Sequence, residues 1–336
     1  MRRSCGSEPF RPAGQRPSPA DPSPLAIDVT DTRGQYPDVI EAITLVAIRD
    51  RLGAALAPPR QAYRPLWVER RVAGWVANAR AARLAGFADV FDVRDDGVTF
   101  ASGIDTAPAR TTALDCVARV LAAEGRLSAW RDERYAVAPE FGAPPWFVLE
   151  RAAARFLGIH TFAAHVNGIV PGDDRVRMWF ARRSPTKAID PAMLDNVVGG
   201  GIAAGQSVAG TVLKEAWEEA GIPADVAALA QPAGAIHICR EQPDGLQRET
   251  IFVHDLGLPA EFAPAGQDGE VVDHRLVTLP GAARLIAIDD GPDVVTADAS
   301  LVVLDFLIRH GRIAPDAPGF TALEALRHPP ASIRSR

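Results

Sequence analysis

Apolar residues recur along this chain with two different periods, and the change from one to the other divides it into two predicted regions. Up to about residue 158 helical spacing dominates. Helices are predicted from residue 36 to Pro58-Pro59 and over residues 77–86, 111–123 and 146–156. Short apolar segments predict strands over residues 66–68, 72–76, 90–93 and 97–100. Together these elements predict an α+β domain over residues 37–158.

After Gly158 the alternation of apolar and polar residues becomes typical of strands. Strands are predicted over residues 162–166, 175–181, 193–198, 233–239, 249–256 and 271–277. Helical spacing returns over residues 207–220 and 297–310. Mixed strands with a helix on either side predict an α/β/α sandwich over residues 159–325.

Composition narrows the class of protein. The hydrophobic fraction of 47% and the charged fraction of 23% are typical of a soluble protein, and no apolar run approaches the ~20 residues that span a membrane. The net charge of −6 gives no reason to expect a nucleic-acid partner. Three cysteines without paired spacing and a basic N-terminus without an apolar segment favour the cytoplasm. Six prolines in residues 1–36 predict a disordered tail.

The most informative segment is a glycine loop that runs into a helix with three glutamates. Gly200-Gly201 precedes this helix. Its glutamates lie at relative positions 0, 3 and 4, as Glu215, Glu218 and Glu219. At roughly 100° per residue they share one helix face. Because neighbouring carboxylates repel one another, the pattern predicts a site for a divalent cation and, through it, for a diphosphate.

Residues 200–222 resemble the Nudix box, G-x5-E-x7-R-E-U-x-E-E-x-G-U, where U is a bulky apolar residue. Six positions match in register, namely Gly200, Glu215, Glu218, Glu219, Gly221 and Ile222. Gln206 stands where the box has glutamate, and Lys214 where it has arginine. The resemblance implies an α/β Nudix sandwich with a mixed sheet, which the smaller α+β domain precedes.

The resemblance also implies the cofactor, Mg²⁺ or Mn²⁺, and its ligands. These would be the side chains of Glu215, Glu218 and Glu219 and the backbone carbonyl of Gly200. Lys214 would replace the arginine that positions a glutamate, and Gln206 removes a carboxylate from that supporting network. Water would attack a phosphorus atom, and either Glu215 or Glu270 would accept its proton.

Further segments resemble one Nudix subfamily, the thiamine-diphosphate-directed proteins related to the domain in front of fungal thiamine pyrophosphokinase. The segments are residues 130–135, 165–168, 181–187, 193–200 and 268–271. The resemblance covers roughly residues 60–325. It implies hydrolysis of thiamine diphosphate, or of its oxidised (oxo- and oxy-) derivatives, to the monophosphate and phosphate.

These segments supply the candidate substrate-binding residues. They are Arg182, Arg183 and Lys187 for phosphate, Asp195 and Asn196 for polar groups, and Trp130 and Arg131 for an aminopyrimidine-like ring. Lys187 and Lys214 are the only lysines in the chain, and both fall near the box. A compact ammonium differs chemically from a guanidinium, which supports a specific role for this stretch. His165 is expected to be structural.

Three alternatives stay open at this point. The diphosphate could be of a nucleotide type such as ADP-ribose. It could be isopentenyl diphosphate undergoing isomerisation, although Cys239 is a weak candidate for the reactive thiol that this reaction needs. The domain could also be a non-catalytic ligand sensor, but the glutamates that such sensors lose are present here.

Overall fold

The computed structural model describes residues 40–172, 175–328 and 333. The segment 1–36, predicted to be a disordered tail, lies outside these residues. Within the described ranges, no helix combines the length and the apolar character needed to cross a membrane.

The first domain is built on a small sheet with helices beside it. Along the chain the first helices are α1 (Ala42–Ala55), α2 (Asn78–Leu84), α3 (Ala107–Ala123) and α4 (Arg151–Leu157). The strands are β1 (Tyr63–Val68), β2 (Arg71–Ala77), β3 (Phe91–Arg94), β4 (Gly97–Phe100), β5 (Arg134–Val137) and β6 (Phe147–Glu150). The first four strands form a sheet in the order β2-β1-β4-β3, and β5 pairs with β6.

The predicted helix 146–156 is wrong in its first half, because this segment is strand β6 followed by helix α4. Strand β6 pairs antiparallel with β5. Phe147 and Leu149 point into the core of the first domain, so the two-residue period decides the structure here. The helix begins only at Arg151, where the Glu150 side chain caps it by accepting a hydrogen bond from the Ala152 amide.

The second domain contains a mixed sheet, as the sequence predicted. Its strands are β7 (His160–Val170), β8 (Arg177–Arg183), β9 (Leu194–Asn196), β10 (Val198–Gly201), β11 (Gln231–Gln242), β12 (Gly245–Gly257) and β13 (Val271–Thr278). The main order is β11-β12-β7-β8-β13, with β10 on β7 and β9 on β8. Strand β7 runs parallel to β12 and antiparallel to β8 and β10.

Helices cover both faces of this sheet, which confirms the α/β sandwich. One face packs against α5 (Val208–Ala220) and α6 (Ala224–Ala227). The other packs against α7 (Leu279–Ala287), α8 (Ala297–Arg309) and α9 (Phe320–Leu326). Helix α1, although it lies in the segment predicted for the first domain, buries Leu45, Ile48 and Leu52 in this second core. The boundary at residue 158 stays a prediction.

Helix α5 is fixed at both ends by its own sequence. The Ser207 hydroxyl accepts a hydrogen bond from the Gly210 amide at 3.0 Å and caps the N-terminus. Gly221 ends the helix in the left-handed region, with φ of 63°, where an added Cβ would also lie 2.8 Å from the Ala265 carbonyl oxygen. The glycine loop therefore passes into α5 in one defined direction.

Candidate active site

A cavity of about 360 Å³ lies where the two domains meet. From the second domain it is lined by the glycine loop 199–201 and by Glu215, Glu218 and Glu219 of α5. From the first domain it is lined by Arg131, Glu133, Tyr135, Arg151 and Arg155. Both domains thus contribute side chains to the cavity that holds the Nudix-box glutamates.

Glu219 is the most deeply buried of the three glutamates, with 5% of its surface exposed. Its carboxylate accepts a hydrogen bond from the Gly199 amide at 2.7 Å. Burial raises the pKa of Glu219 to about 8; the Lys187 charge opposes this rise, and Asp195 and Glu215 add to it. The ionised form is therefore costly here unless a further cation approaches.

Glu215 lies directly against the glycine loop. A Cβ at Gly200 would come 2.6 Å from the Glu215 carboxyl carbon, so only glycine lets the loop approach this carboxylate so closely. Burial raises the pKa of Glu215, the neighbouring Lys214 lowers it, and Glu218 and Glu133 raise it.

Lys214 bridges two of the glutamates. Its ammonium donates to Glu215 at 3.1 Å and to Glu218 at 2.7 Å. This is the kind of contact predicted for the residue that replaces the arginine of the box. Gln206 is exposed and does not line the cavity, so the structure does not bring it to the glutamates.

The fit of a metal ion can be tested on this donor set. In the described part of the chain, no three acidic, histidine or cysteine side chains converge closely enough to hold an ion as they stand. Yet three carboxylates share one face of α5, and the raised pKa of the buried Glu219 means that an added cation would stabilise its charge. Carboxylate oxygens are the ligands that hard divalent cations prefer. The residues fit such a cation once the glutamate side chains adjust.

Glu270 is held by two cations, one from each domain. Arg131 of the first domain and Lys187 of the second both form ion pairs with its carboxylate. Burial raises the pKa of Glu270, but hydrogen bonds and charges from Lys187 and Arg131 outweigh it and bring the pKa to about 2. All three residues line the cavity, and substrate binding by Arg131 and Lys187 stays a prediction.

The neighbouring arginines of β8 point in different directions, and only one reaches the cavity. Arg183 lines it and donates to Asp195 at 2.8 Å; Asp195 lines it too. Arg182 bonds instead to the Pro292 carbonyl oxygen at 2.6 Å and to Asp293 at 2.7 Å. Successive strand residues face opposite ways, which separates this predicted pair.

Two further predicted residues also lie outside the cavity lining. Asn196 is buried, and its side-chain oxygen lies 2.8 Å from His165 Nδ1. The Trp130 indole donates to Asp132 at 2.8 Å and packs against the first-domain core. Both residues have structural partners that account for them.

A second group of side chains lines the same cavity beside α4, and none of it was predicted. This group consists of Arg155, Asp190, Gln247, Glu249 and Asp298, and we call it the α4 side. The name α5 side is kept for Gly199, Gly200, Glu215, Glu218 and Glu219. No local spacing in the sequence links the members of the α4 side, so sequence reasoning had no signal for them.

Gln247 links two carboxylates of the α4 side through hydrogen bonds. Its amide nitrogen donates to Glu249 at 3.0 Å and to Asp298 at 2.9 Å, while its oxygen accepts from Arg240 at 2.7 Å. Tyr135 and His165 also line the cavity, and both lie in segments that resemble the subfamily, although the sequence does not predict either as a site residue.

Two family models match successive parts of the chain. A domain of unknown function (DUF4743) matches residues 52–161, and the NUDIX domain matches residues 161–297. A Deinococcus radiodurans structure, 21% identical with a TM-score of 0.39, covers 51% of this chain and 97% of its own; this likeness is too distant to carry an argument.

Two Arabidopsis thaliana proteins are much more similar. Nudix hydrolase 24, chloroplastic, is 35% identical over 261 residues, which are 77% of this chain and 71% of that protein. Nudix hydrolase 20, chloroplastic, is 35% identical over 268 residues, with the same shares. Since the similarity runs through both domains and includes the glutamate-bearing helix, the chain belongs to the Nudix hydrolases, enzymes that cleave small-molecule diphosphates and generally use divalent metal cations.

Proposed function

We propose that this Nudix hydrolase cleaves thiamine diphosphate, or its oxidised (oxo- and oxy-) derivatives, to the monophosphate and phosphate. One observation carries the proposal. The five segments that resemble the thiamine-diphosphate-directed subfamily are far apart in sequence, yet each contributes to the lining of one cavity. The contributing residues are Arg131 and Tyr135, His165, Arg183 and Lys187, Asp195 and Gly199, and Asp268 and Glu270.

In this proposal the α5 side holds Mg²⁺ or Mn²⁺ through Glu215, Glu218 and Glu219, with the Gly200 carbonyl beside them. When bound, the cation stabilises charge that develops at phosphorus and makes a bound water more acidic. Arg131 and Lys187 place their positive charges at the same cavity, where they can bind phosphate oxygens.

A glutamate accepts the proton of the attacking water. Glu270 can do so only after releasing the ion pairs with Arg131 and Lys187, which hold its pKa at about 2. Glu215 has a raised pKa and only the half-exposed Lys214 to release. We therefore favour Glu215 as the base. Glu270 would hold the side chains of Arg131 and Lys187 in position until substrate binds.

A substrate panel tests the proposal. The purified full chain is assayed for phosphate release with Mg²⁺ or Mn²⁺ on thiamine diphosphate, oxythiamine diphosphate, oxothiamine diphosphate and ADP-ribose. Activity on one or more thiamine compounds, with kcat/KM at least about tenfold above that for ADP-ribose, supports it. A preference for ADP-ribose overturns the substrate. Glu219→Gln protein, purified in parallel, controls for contaminating phosphatases.

A further inference from the structure

The α4 side carries more negative charge than its own cations neutralise. Asp244 pairs with Arg155 at 3.5 Å, and Asp298 pairs with Arg240 at 3.2 Å. Asp190 and Glu249 form no ion pair with any described residue.

The two remaining carboxylates differ in how they are held. Glu249 accepts only neutral hydrogen bonds, from Thr161 at 3.1 Å and from Gln247 at 3.0 Å. Asp190 has φ of 47° in the loop after β8, and no hydrogen bond to its carboxylate is recorded in the described ranges. Burial and the nearby Asp298 raise the pKa of Asp190. Both carboxylates are half-buried at the cavity and lack a directly bonded cation among the described residues. The guanidinium groups that act on them from farther away are those of Arg155, Arg183 and Arg240 for Asp190, and that of Arg151 for Glu249.

Tyr135 points a polar atom into the same cavity. The side chain comes from the first domain and only 7% of the residue is exposed. Its hydroxyl lies so close to Gly201 that a Cβ there would overlap it. The part of the chain that the structure describes gives this hydroxyl no hydrogen-bond partner. The residue is largely buried, but this oxygen is not fully enclosed, so a ligand in the cavity can supply the missing hydrogen bond.

His165, also 7% exposed, presents a hydrogen-bond acceptor there. Its Nδ1 lies 2.8 Å from the Asn196 side-chain oxygen, and an amide oxygen can only accept, so Nδ1 carries the proton. Asn196 in turn donates to Asn167, which donates to Asp255 at 3.0 Å. The tautomer that these hydrogen bonds favour has its lone pair on Nε2, and no described residue forms a hydrogen bond with that atom.

We propose that the α4 side binds a cationic, hydrogen-bond-donating organic group carried by the diphosphate substrate, through Asp190 and Glu249 with the Tyr135 hydroxyl and His165 Nε2. The inference rests on the proposed function in placing the diphosphate on the α5 side. It goes further because it assigns the selection among substrates to the charge of their organic group. It also gives the first domain a direct part in that selection through Tyr135.

The test compares two ligands of equal chain length that differ only in the terminal group. They are aminohexyl methylenebisphosphonate and its heptyl counterpart, in which a methyl group replaces the terminal ammonium. Neither can be hydrolysed between its phosphorus atoms, so binding is measured by calorimetry without turnover. The wild-type chain is expected to bind the amino ligand about tenfold more tightly, because a charge-assisted hydrogen bond forms in a partly buried site.

Two charge-removing variants locate the effect. Glu249→Gln and Asp190→Asn should each reduce the preference for the amino ligand by about threefold or more, without weakening the heptyl ligand. Asparagine tolerates the left-handed backbone at position 190, so the second variant stays informative if the first is unstable. Glu261→Gln, at an exposed carboxylate outside the cavity, should retain the wild-type ratio.

Equal binding of the two ligands, binding of neither, or a ratio that neither variant changes would overturn the subsite. Hydrolysis is scored separately on the parent diphosphates. A protein that prefers the amino ligand but releases no phosphate from any diphosphate would retain the subsite and contradict the proposed function. The two failures are therefore distinguishable.

Discussion

The α5 side and the α4 side of the cavity are both rich in carboxylates, but they arise from the sequence in different ways. The α5 side is local, because Glu215, Glu218 and Glu219 lie within five residues on one helix that follows its own glycine loop. The α4 side is assembled from helix α4, a loop, strand β12 and the start of helix α8, which lie far apart in the chain. The first is determined by one short stretch of sequence, whereas the second depends on how the two domains pack.

The two sides also differ in what neutralises their charge. On the α5 side Lys214 binds two glutamates, and Glu219 is buried with a pKa raised to about 8. On the α4 side Asp190 and Glu249 face the cavity without an ion pair among the described residues. Under the two proposals, reaction chemistry belongs to the α5 side and recognition to the α4 side, so substitutions on each side should change different kinetic constants.

The largest effect is expected from Glu219→Gln. It removes a buried carboxylate from the α5 side, and phosphate release should fall roughly a hundredfold to a thousandfold, as about 3–4 kcal/mol of transition-state stabilisation is lost. The fold should persist, because burial already disfavours the charged form and glutamine is uncharged. Steady-state assays with Mg²⁺ and thermal melts check both points. Near-normal turnover, with Glu261→Gln as the matched control, would remove the α5 side from the reaction.

Substitutions at two adjacent glycines test whether reaction chemistry and substrate recognition are separate. In Gly200→Ala the new methyl group meets Glu215, and in Gly201→Ala it meets Tyr135. Because a displacement of about 1 Å at a reacting group can cost roughly a hundredfold, Gly200→Ala should lower kcat by about tenfold to a hundredfold on every diphosphate. Gly201→Ala should mainly raise KM for cationic substrates. If both variants lower kcat equally, the division between the two sides is wrong.

The α5 side could be anticipated because its information is local. Helical periodicity places Glu215, Glu218 and Glu219 on one face, and Ser207 and Gly221 set the helix ends. No tertiary contact is needed to infer this geometry. The same reasoning failed for Phe147–Glu150, where a run of three apolar residues fits a strand and a helix equally well until the pairing with β5 decides.

The α4 side could not be anticipated, because its members meet only through non-local pairing. Glu249 reaches the cavity since β12 runs parallel to β7, an arrangement that sequence spacing does not encode. Arg182 shows the same limit on a smaller scale. The sequence predicts the same phosphate-binding role for Arg182 and Arg183, but strand alternation turns Arg182 towards Asp293.

Glu270→Gln should have an intermediate effect on kcat/KM. This residue links the two domains at the cavity but belongs to neither the α5 side nor the α4 side. Loss of the ion pairs with Arg131 and Lys187 should lower kcat/KM by about tenfold, because both cations lose the group that positions them. A fall as large as that of Glu219→Gln would instead make Glu270 the general base. Glu261→Gln again serves as the control for the loss of one carboxylate.

The same variant has a defined pH dependence. The ion pairs hold the pKa of Glu270 at about 2, below its ordinary 4.5, so their contribution to stability is present above about pH 4.5 and is lost as pH falls towards 2. The difference in Tm between wild type and Glu270→Gln should thus be largest above about pH 5 and shrink as the solution is acidified. A difference that is constant over this range would show that the pairs do not form in solution.

The smallest effect is expected from restoring the consensus of the box. The double variant Gln206→Glu, Lys214→Arg should change kcat by less than about twofold. Gln206 is exposed and outside the cavity lining, and Lys214 already contacts Glu215 and Glu218 from a half-exposed position where an ion pair contributes little. Turnover and Mn²⁺ affinity of the double variant are compared with those of each single variant. A tenfold gain in kcat would mean that the contacts around the glutamates, rather than the glutamates themselves, limit the rate. The departures from the box at Gln206 and Lys214 would then lower kcat.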